Sequence, residues 1–189
     1  EAVSFLAWES GQYRLREASG GTRSVNISSI PSDRTISGPW RLEFPSDSAA
    51  PDSLTLEELA SWTAFSEPGA RYFSGTATYR KTFRIPPDWI EQGRRIYIDL
   101  GQVRYLASLA VNEADLGVLW KPPFRREITD VVGEGENTLT VEVTNLWPNR
   151  LIGDDRRFPD DCSWSDGELA EWPDWARGKG ERPTGRRAF

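Results

Sequence analysis

The stretch RIYIDLGQVRYLASLAVNEADLGVLWKPPF, Arg95 to Phe124, decides the fold. Ile96, Ile98 and Leu100 share one parity, and Leu109 and Val111 share one further on. Alternation of period two, rich in Ile, Val, Leu and Tyr, marks strands buried on one face. Gly101 separates the two runs, where a bend is easiest for a residue without Cβ. Asn112, Glu113, Ala114 and Asp115 make a polar turn, after which Leu116 to Leu119 resume an extended path. Pro122 keeps Lys121 out of the α region, and Pro123 does the same to Pro122. Trp120 to Phe124 is therefore expected to be a stiff, extended loop. Two roles fit a large aromatic on such a loop: a binding platform, or a lid over the core.

The same period extends outward in both directions. Tyr72 to Ile85 (YFSGTATYRKTFRI) is the longest strand candidate, with Ala77, Tyr79, Lys81, Phe83 and Ile85 on one parity. Lys81 breaks that apolar row, so it must pair, snorkel or sit at an end. Pro39 to Phe44 reads as a strand. Ser4 to Glu9 and Gln12 to Glu17 read as a hairpin across Ser10 and Gly11, with a further strand at Ser24 to Ser28. Pro45 to Ser53 is a polar linker. Thr55, Leu56, Glu57 and Glu58 have capping-box spacing, which predicts a short helix from Leu56 to Ser61. Pro86 to Ile90 and Asp130 to Glu136 are turns. Asn137 to Asn145 is a clean strand with Leu139, Val141 and Val143 inward.

Strands near 39–44, 72–85, 95–100, 104–112, 124–129 and 137–145 are expected to form two packed antiparallel sheets. That is an all-β sandwich. One module is expected over 1–189, with its core at about 37–154 and an irregular carboxy-terminal wrap over 155–189. The wrap is aromatic through Trp164, Trp172 and Trp175, which argues for ordered loop rather than a disordered tail. No helix longer than about two turns is expected.

Composition bounds the function. A chain of 189 residues suits one domain with a proper core. The net charge of −6 argues against nucleic acid, since phosphate binding needs a basic surface. No apolar run approaches a membrane span, and no signal peptide is apparent. The absence of Met implies a domain excised from a longer protein, or a processed one. Cys162 is alone, so no internal disulfide or Cys-rich zinc site can form. The absence of His excludes His-based triads and His-ligated metals. Trp is over-represented, with nine residues, several beside Pro or Gly.

The strings YFSGTATYRKTF, IYIDLG, VN…LGVLWKPPF…IT and GENTLTVEVTN resemble the sugar-binding-type β-sandwich domain of family-2 glycoside hydrolases. With GPW (Gly38 to Trp40) before them and NLWPNRLIGD (Asn145 to Asp154) after, the chain is most similar to the non-catalytic sandwich of α-L-rhamnosidase-like enzymes, glycoside hydrolase family 106. The resemblance spans Ser37 to Asp154. It implies a jelly-roll, galactose-binding-like fold. It also implies an accessory module of a secreted, extracellular or periplasmic enzyme, attached to a catalytic domain of the same parent chain.

The residues fit binding better than catalysis. Glycoside hydrolysis needs two carboxylates about 5–10 Å apart in a cleft, and no pair stands out among the acidic residues. Asp154–Asp155 and Asp160–Asp161 read as solvated charge, or as ligands of a structural Ca²⁺, a hard ion that takes oxygen ligands. Sugars present apolar faces to flat aromatics and hydroxyl edges to Asn, Asp and Arg. Trp120, Trp147, Asn149 and Arg150 have that chemistry, and Arg104 and Tyr105 can join a rim. Each also has a structural role open to it. Trp120 and Trp147 can cap the core, and Arg150 can pair with Asp154. Trp40 and Trp62 read as core and plug, and Trp89 as a staple for its turn. The expected ligand is a polysaccharide or oligosaccharide from plants or algae. The rival is a domain that braces the catalytic domain and binds no sugar.

Overall fold

The computed structural model describes residues 4–90, 94–157, 163–166 and 168–179. The chain separates into two compact units, Glu1–Ile36 and Ser37–Phe189. The first unit is a hairpin of β1 (Gly11–Arg16) and β2 (Thr22–Ile27), in register from Gly11↔Ile27 to Arg16↔Thr22. It is shifted from the hairpin expected across Ser10 and Gly11. The turn lies at Glu17–Gly21, where Glu17 N donates to Gly21 O at 2.8 Å and Gly20 takes φ +92°. A Gly there accepts a left-handed turn without a Cβ clash. Ser10 Oγ instead accepts from Ile30 N at 3.0 Å.

The second unit holds β3 (Trp40–Glu43), β4 (Ser53–Leu56), β5 (Thr76–Ile85), β6 (Tyr97–Asp99), β7 (Leu106–Val111), β8 (Ala114–Leu119), β9 (Arg125–Glu127) and β10 (Gly135–Thr144). Two short strands follow, β11 (Ser163–Ser165) and β12 (Glu168–Glu171), which pair with each other. Helices α1 (Pro68–Arg71) and α2 (Pro148–Arg157) complete the elements used below.

Six strands form one antiparallel sheet in the order β4-β3-β5-β10-β7-β8. Period-two alternation places one row from each strand inward. Leu42, Tyr79, Val141 and Leu109 are register partners across four neighbouring strands, and all are buried. The opposite face carries Thr76, Thr78 and Thr82 beside Thr144 and Thr138, together with the Arg41–Glu43–Arg80 ion pairs. Such a polar face is how one side of an antiparallel sheet stays in water.

β6 and β9 pair separately and form the second layer. Their ladder is extended by Leu100 N to Phe124 O and Ile128 N to Ile96 O, both at 2.8 Å. Ile96, Ile98, Phe124 and Ile128 are buried. The architecture is an all-β, antiparallel jelly-roll sandwich of the galactose-binding-domain type. Lys81, the cation in the β5 row, donates to Pro39 O at 2.9 Å.

Three further expectations are corrected. Residues 53–56 are strand, not the start of a helix: Leu54 and Leu56 alternate on β4, and pairing from Trp40↔Leu56 to Glu43↔Ser53 satisfies their backbone. A capping box offers only end contacts, which a strand partner outcompetes. The first helical elements come later, as a 3-10 turn at Trp62–Ala64 and α1, capped by Glu67 Oε2 accepting from Ala70 N at 2.7 Å. The long strand starts at Thr76 rather than Tyr72, because Phe73 turns into the core against Phe44 and Trp62, with ring centroids 5.0 and 5.5 Å away. After Trp147 the chain forms α2, ten residues long, where no helix longer than about two turns was expected. Pro148 suits a first helical position, since its missing N–H is not needed there.

Candidate functional site

Register brings three connections to one end of the large sheet. β10 ends at Thr144, opposite Leu106, the first residue of β7; β8 ends at Leu119, opposite Ala107. Asn145–Trp147, Arg104–Tyr105 and Trp120 therefore leave from the same end of three neighbouring strands. Two strand spacings separate β10 from β8, about 10 Å. Tyr105 N donates to Thr144 O at 2.9 Å, which fixes that residue to the end of β10. Three aromatic side chains are open to solvent there: Trp120 is 66% exposed, Trp147 55% and Tyr105 47%.

The Trp120–Phe124 loop divides its two aromatics between the two roles considered for it. Phe124 is buried and belongs to the core, whereas Trp120 stands in solvent. The loop is bent over residues 121–123 rather than extended. Pairing returns the chain to β6 through Leu100 N and Phe124 O, and Arg125 N closes the bend on Pro123 O at 2.8 Å. The Lys121 ammonium lies 5.1 Å from the Trp120 ring centroid, a cation–π contact on one face. Lys121 was not singled out from the sequence, although a cation next to an exposed Trp is a usable signal.

Trp147 leads into α2, and its carbonyl accepts from Arg150 N at 3.0 Å and Leu151 N at 3.2 Å. The segment is anchored to residues 71–75. Asn149 Nδ2 donates to Arg71 O at 2.7 Å and Phe73 O at 2.9 Å. Asn145 Nδ2 donates to Phe73 O at 2.8 Å, while its Oδ1 accepts from Gly75 N at 2.9 Å. Ser74 Oγ donates to Leu146 O at 3.1 Å and accepts from Arg150 N at 2.9 Å. A Cβ on Gly153 would lie 2.5 Å from Tyr72 Cβ, so α2 packs here only without a side chain. The strings FSG and NLWPNRLIG thus hold each other. Asn149 has its amide donors committed to backbone, Arg150 is bound through its own amide, and Arg104 is exposed.

The other aromatics have clearer roles. Trp40 and Trp62 are buried in the core, and Trp62 Nε1 donates to Tyr79 Oη at 2.6 Å. Trp89 ends a 3-10 turn at Pro87–Trp89. Trp172 is exposed. Exposed aliphatics that the alternation did not flag, Leu106, Val118 and Leu146, lie at the same sheet end. Leu106 and Val118 occupy the parity opposite the buried Ala107 and Leu119, which is the signal that would have found them.

Among the described residues two carboxylates have shifted proton affinities, and both are shifted toward ionisation. Glu43 is lowered chiefly by its bond to Arg80, then by Arg41. Asp99 is lowered first by the Gly101 N–H, then by Arg125. The calcium reading of Asp154–Asp155 and Asp160–Asp161 falls on side chains outside the described residues. Among the described residues no group of three or more His, Cys, Asp or Glu is placed to hold a metal ion. None of their helices is long and apolar enough to cross a membrane.

This sandwich is an accessory domain of the kind found in glycoside hydrolases, as the resemblance implied. A putative β-glucuronidase of Formosa agariphila is 38% identical over 179 residues, which cover 95% of this chain and 15% of that protein. The structure of a rhamnosidase from Novosphingobium sp. PP1Y superposes with a TM-score of 0.63 at 31% identity, over 85% of this chain and 18% of that one. A β-glucuronidase from an uncultured Clostridium sp. shares the fold alone, with a TM-score of 0.52 at 22% identity over 62% of this chain and 24% of its own. The chain therefore spans less than a quarter of the length of each of these relatives. No family model matches it.

Proposed function

We propose that this chain is a non-catalytic carbohydrate-binding module of a secreted glycoside hydrolase, and that it holds polysaccharide near the catalytic domain of its parent chain. The observation that carries this reading is the cluster of exposed rings, Tyr105, Trp120 and Trp147, at the ends of three adjacent strands. Flat aromatics held by a rigid sheet cover apolar sugar faces at little cost in entropy. The relatives' names, β-glucuronidase and rhamnosidase, point to uronate- or rhamnose-containing glycans of plant or algal origin. Arg104 joins the rim, and Asn149 and Arg150 act here chiefly by fixing the Trp147 segment.

The test is a glycan array followed by titration of Trp120→Ala and Trp147→Ala against the glycan bound by the wild-type chain. Loss of a ring that stacks on sugar is expected to weaken binding at least about tenfold, or about 1.4 kcal/mol, with the melting temperature unchanged. Wild-type affinity in both folded variants would move the site elsewhere.

A second reading has its own observation. Leu106, Val118 and Leu146 are exposed at the same end, and Leu151 and Ile152 are exposed on α2. An apolar surface of that kind suits a domain that braces its catalytic partner. An array without hits, together with tight association between this chain and the separately produced catalytic domain, would favour it.

A further inference from the structure

Two cations interrupt inward rows of this sandwich, and they are treated differently. Lys81 in the β5 row reaches a backbone carbonyl. Arg126 lies on β9 opposite Ile98, on the parity of Phe124 and Ile128, all three of which are buried. Its Nε is buried, and among the described residues it is the one buried side-chain polar atom without a hydrogen-bond partner. The arginines around it differ: Arg125 makes a forked pair with Asp99 at 2.6 and 3.0 Å, and Arg95 reaches Glu127 at 3.4 Å. Arg126 has no carboxylate of its own among the described residues. Arg126 as a whole is half-buried, but a buried N–H without an acceptor is costly, so such a group persists where something else meets it.

The surroundings leave room for that acceptor. Gly117, on the edge strand β8, takes φ +78° with its N–H on Asp115 Oδ1 at 2.8 Å. A Cβ built there would meet one heavy atom within 4 Å, Arg126 Nη2 at 3.9 Å. Gly117 thus leaves an open notch in the sheet edge, with a guanidinium at its wall. The last residues of β8 lead from this notch to the exposed Trp120, three residues on from Gly117, or about 10 Å of extended chain.

We propose that Arg126 receives the carboxylate of an acidic sugar, entering the notch at Gly117 while the neighbouring unit of the glycan reaches Trp120. The inference rests on the carbohydrate-binding reading and names its ligand class, a uronate. The planar fork of arginine matches a carboxylate through two parallel N–H···O bonds, which a lysine cannot reproduce.

The experiment is a ¹⁵N-correlated NMR titration of the full chain with D-glucuronate and, separately, with D-glucose. The Arg126 Nε–H resonance is assigned by its loss in Arg126→Gln, and the Trp120 indole by its loss in Trp120→Ala. Glucuronate is expected to shift the Arg126 signal and glucose to leave it in place. Affinity for glucuronate is expected to fall about tenfold in both Arg126→Gln and Arg126→Lys. An Arg126 signal unmoved by glucuronate, or moved equally by glucose, overturns the proposal. It falls with the sugar reading intact if the Trp120 indole responds to glucose while Arg126 ignores glucuronate; a carboxylate elsewhere in the parent chain is then its partner. Its Trp120 half is overturned, and the carboxylate site at Arg126 is upheld, if Arg126 responds to glucuronate while the Trp120 indole responds to neither sugar.

Discussion

Trp62 Nε1 donates a 2.6 Å hydrogen bond to Tyr79 Oη inside the core. The bond joins a 3-10 turn to the central strand β5, and both residues are buried. It lets the Trp62 ring pack against Phe44 and Phe73 without an orphaned donor. Burial pushes the Tyr79 hydroxyl up from its ordinary pKa, with the Trp62 bond opposing.

Tyr79→Phe keeps the ring and removes the acceptor. The Trp62 N–H is then buried without a partner, which costs about 1–3 kcal/mol. The midpoint of urea unfolding is expected to fall while its slope stays constant. An unchanged midpoint would show that the turn shifts to bring Trp62 to water.

Asp99 gives the fold an acid-sensitive contact. Its folded pKa is depressed by the Gly101 N–H and then by Arg125. Stability from this source is present above the unfolded carboxyl value, about 4, and is lost as pH falls through the lower folded value. The contribution is modest because the pair is partly exposed. Melting temperature measured from pH 7 down to pH 2 is expected to fall less steeply in Asp99→Asn than in wild type. Parallel curves would remove Asp99 from the acid response.

At the opposite end of the sheet Asn137 is fully buried and fully bonded. Its Oδ1 accepts from Asn112 Nδ2 at 2.7 Å and Gly133 N at 2.9 Å, and its Nδ2 donates to Gly133 O and Gly135 O. Asn137→Ala strands several of these groups at once and is expected to cost roughly 2–4 kcal/mol. Thermal denaturation measures it. A loss below about 1 kcal/mol would mean that the turn relaxes and its groups reach solvent.

Asn149→Asp separates a structural from a ligand role. The substitution replaces two amide donors with acceptors facing Arg71 O and Phe73 O. Leaving those carbonyls against a carboxylate is expected to cost about 1–3 kcal/mol and lower the melting temperature. If stability is retained and glycan binding alone is lost, Asn149 contacts the ligand directly.

Much of the architecture was legible in the residues because a strand buried on one face leaves a local trace. The parity of Ala77, Tyr79, Phe83 and Ile85 and that of Leu139 and Val141 marked the inward rows, and those residues are buried. The turn at Asn112 and Glu113, both at positive φ, was likewise marked by residue type. The helix expected over Leu56–Ser61 was a misreading, because a capping box and a strand share the same local composition. Only the partner strand β3 decided between them.

The sequence by itself determined where the chain alternates, where it turns and which residue types could meet a sugar. Tertiary structure alone decided which of them stand together. Strand order placed Tyr105, Trp120 and Trp147 at one sheet end, turned Asn149 inward to backbone carbonyls, and left Arg126 beside the notch at Gly117. The physical reason is that periodicity is a property of neighbours along the chain. Pairing order, burial and the satisfaction of each polar group depend on residues far apart in it, such as Phe73 and Asn149.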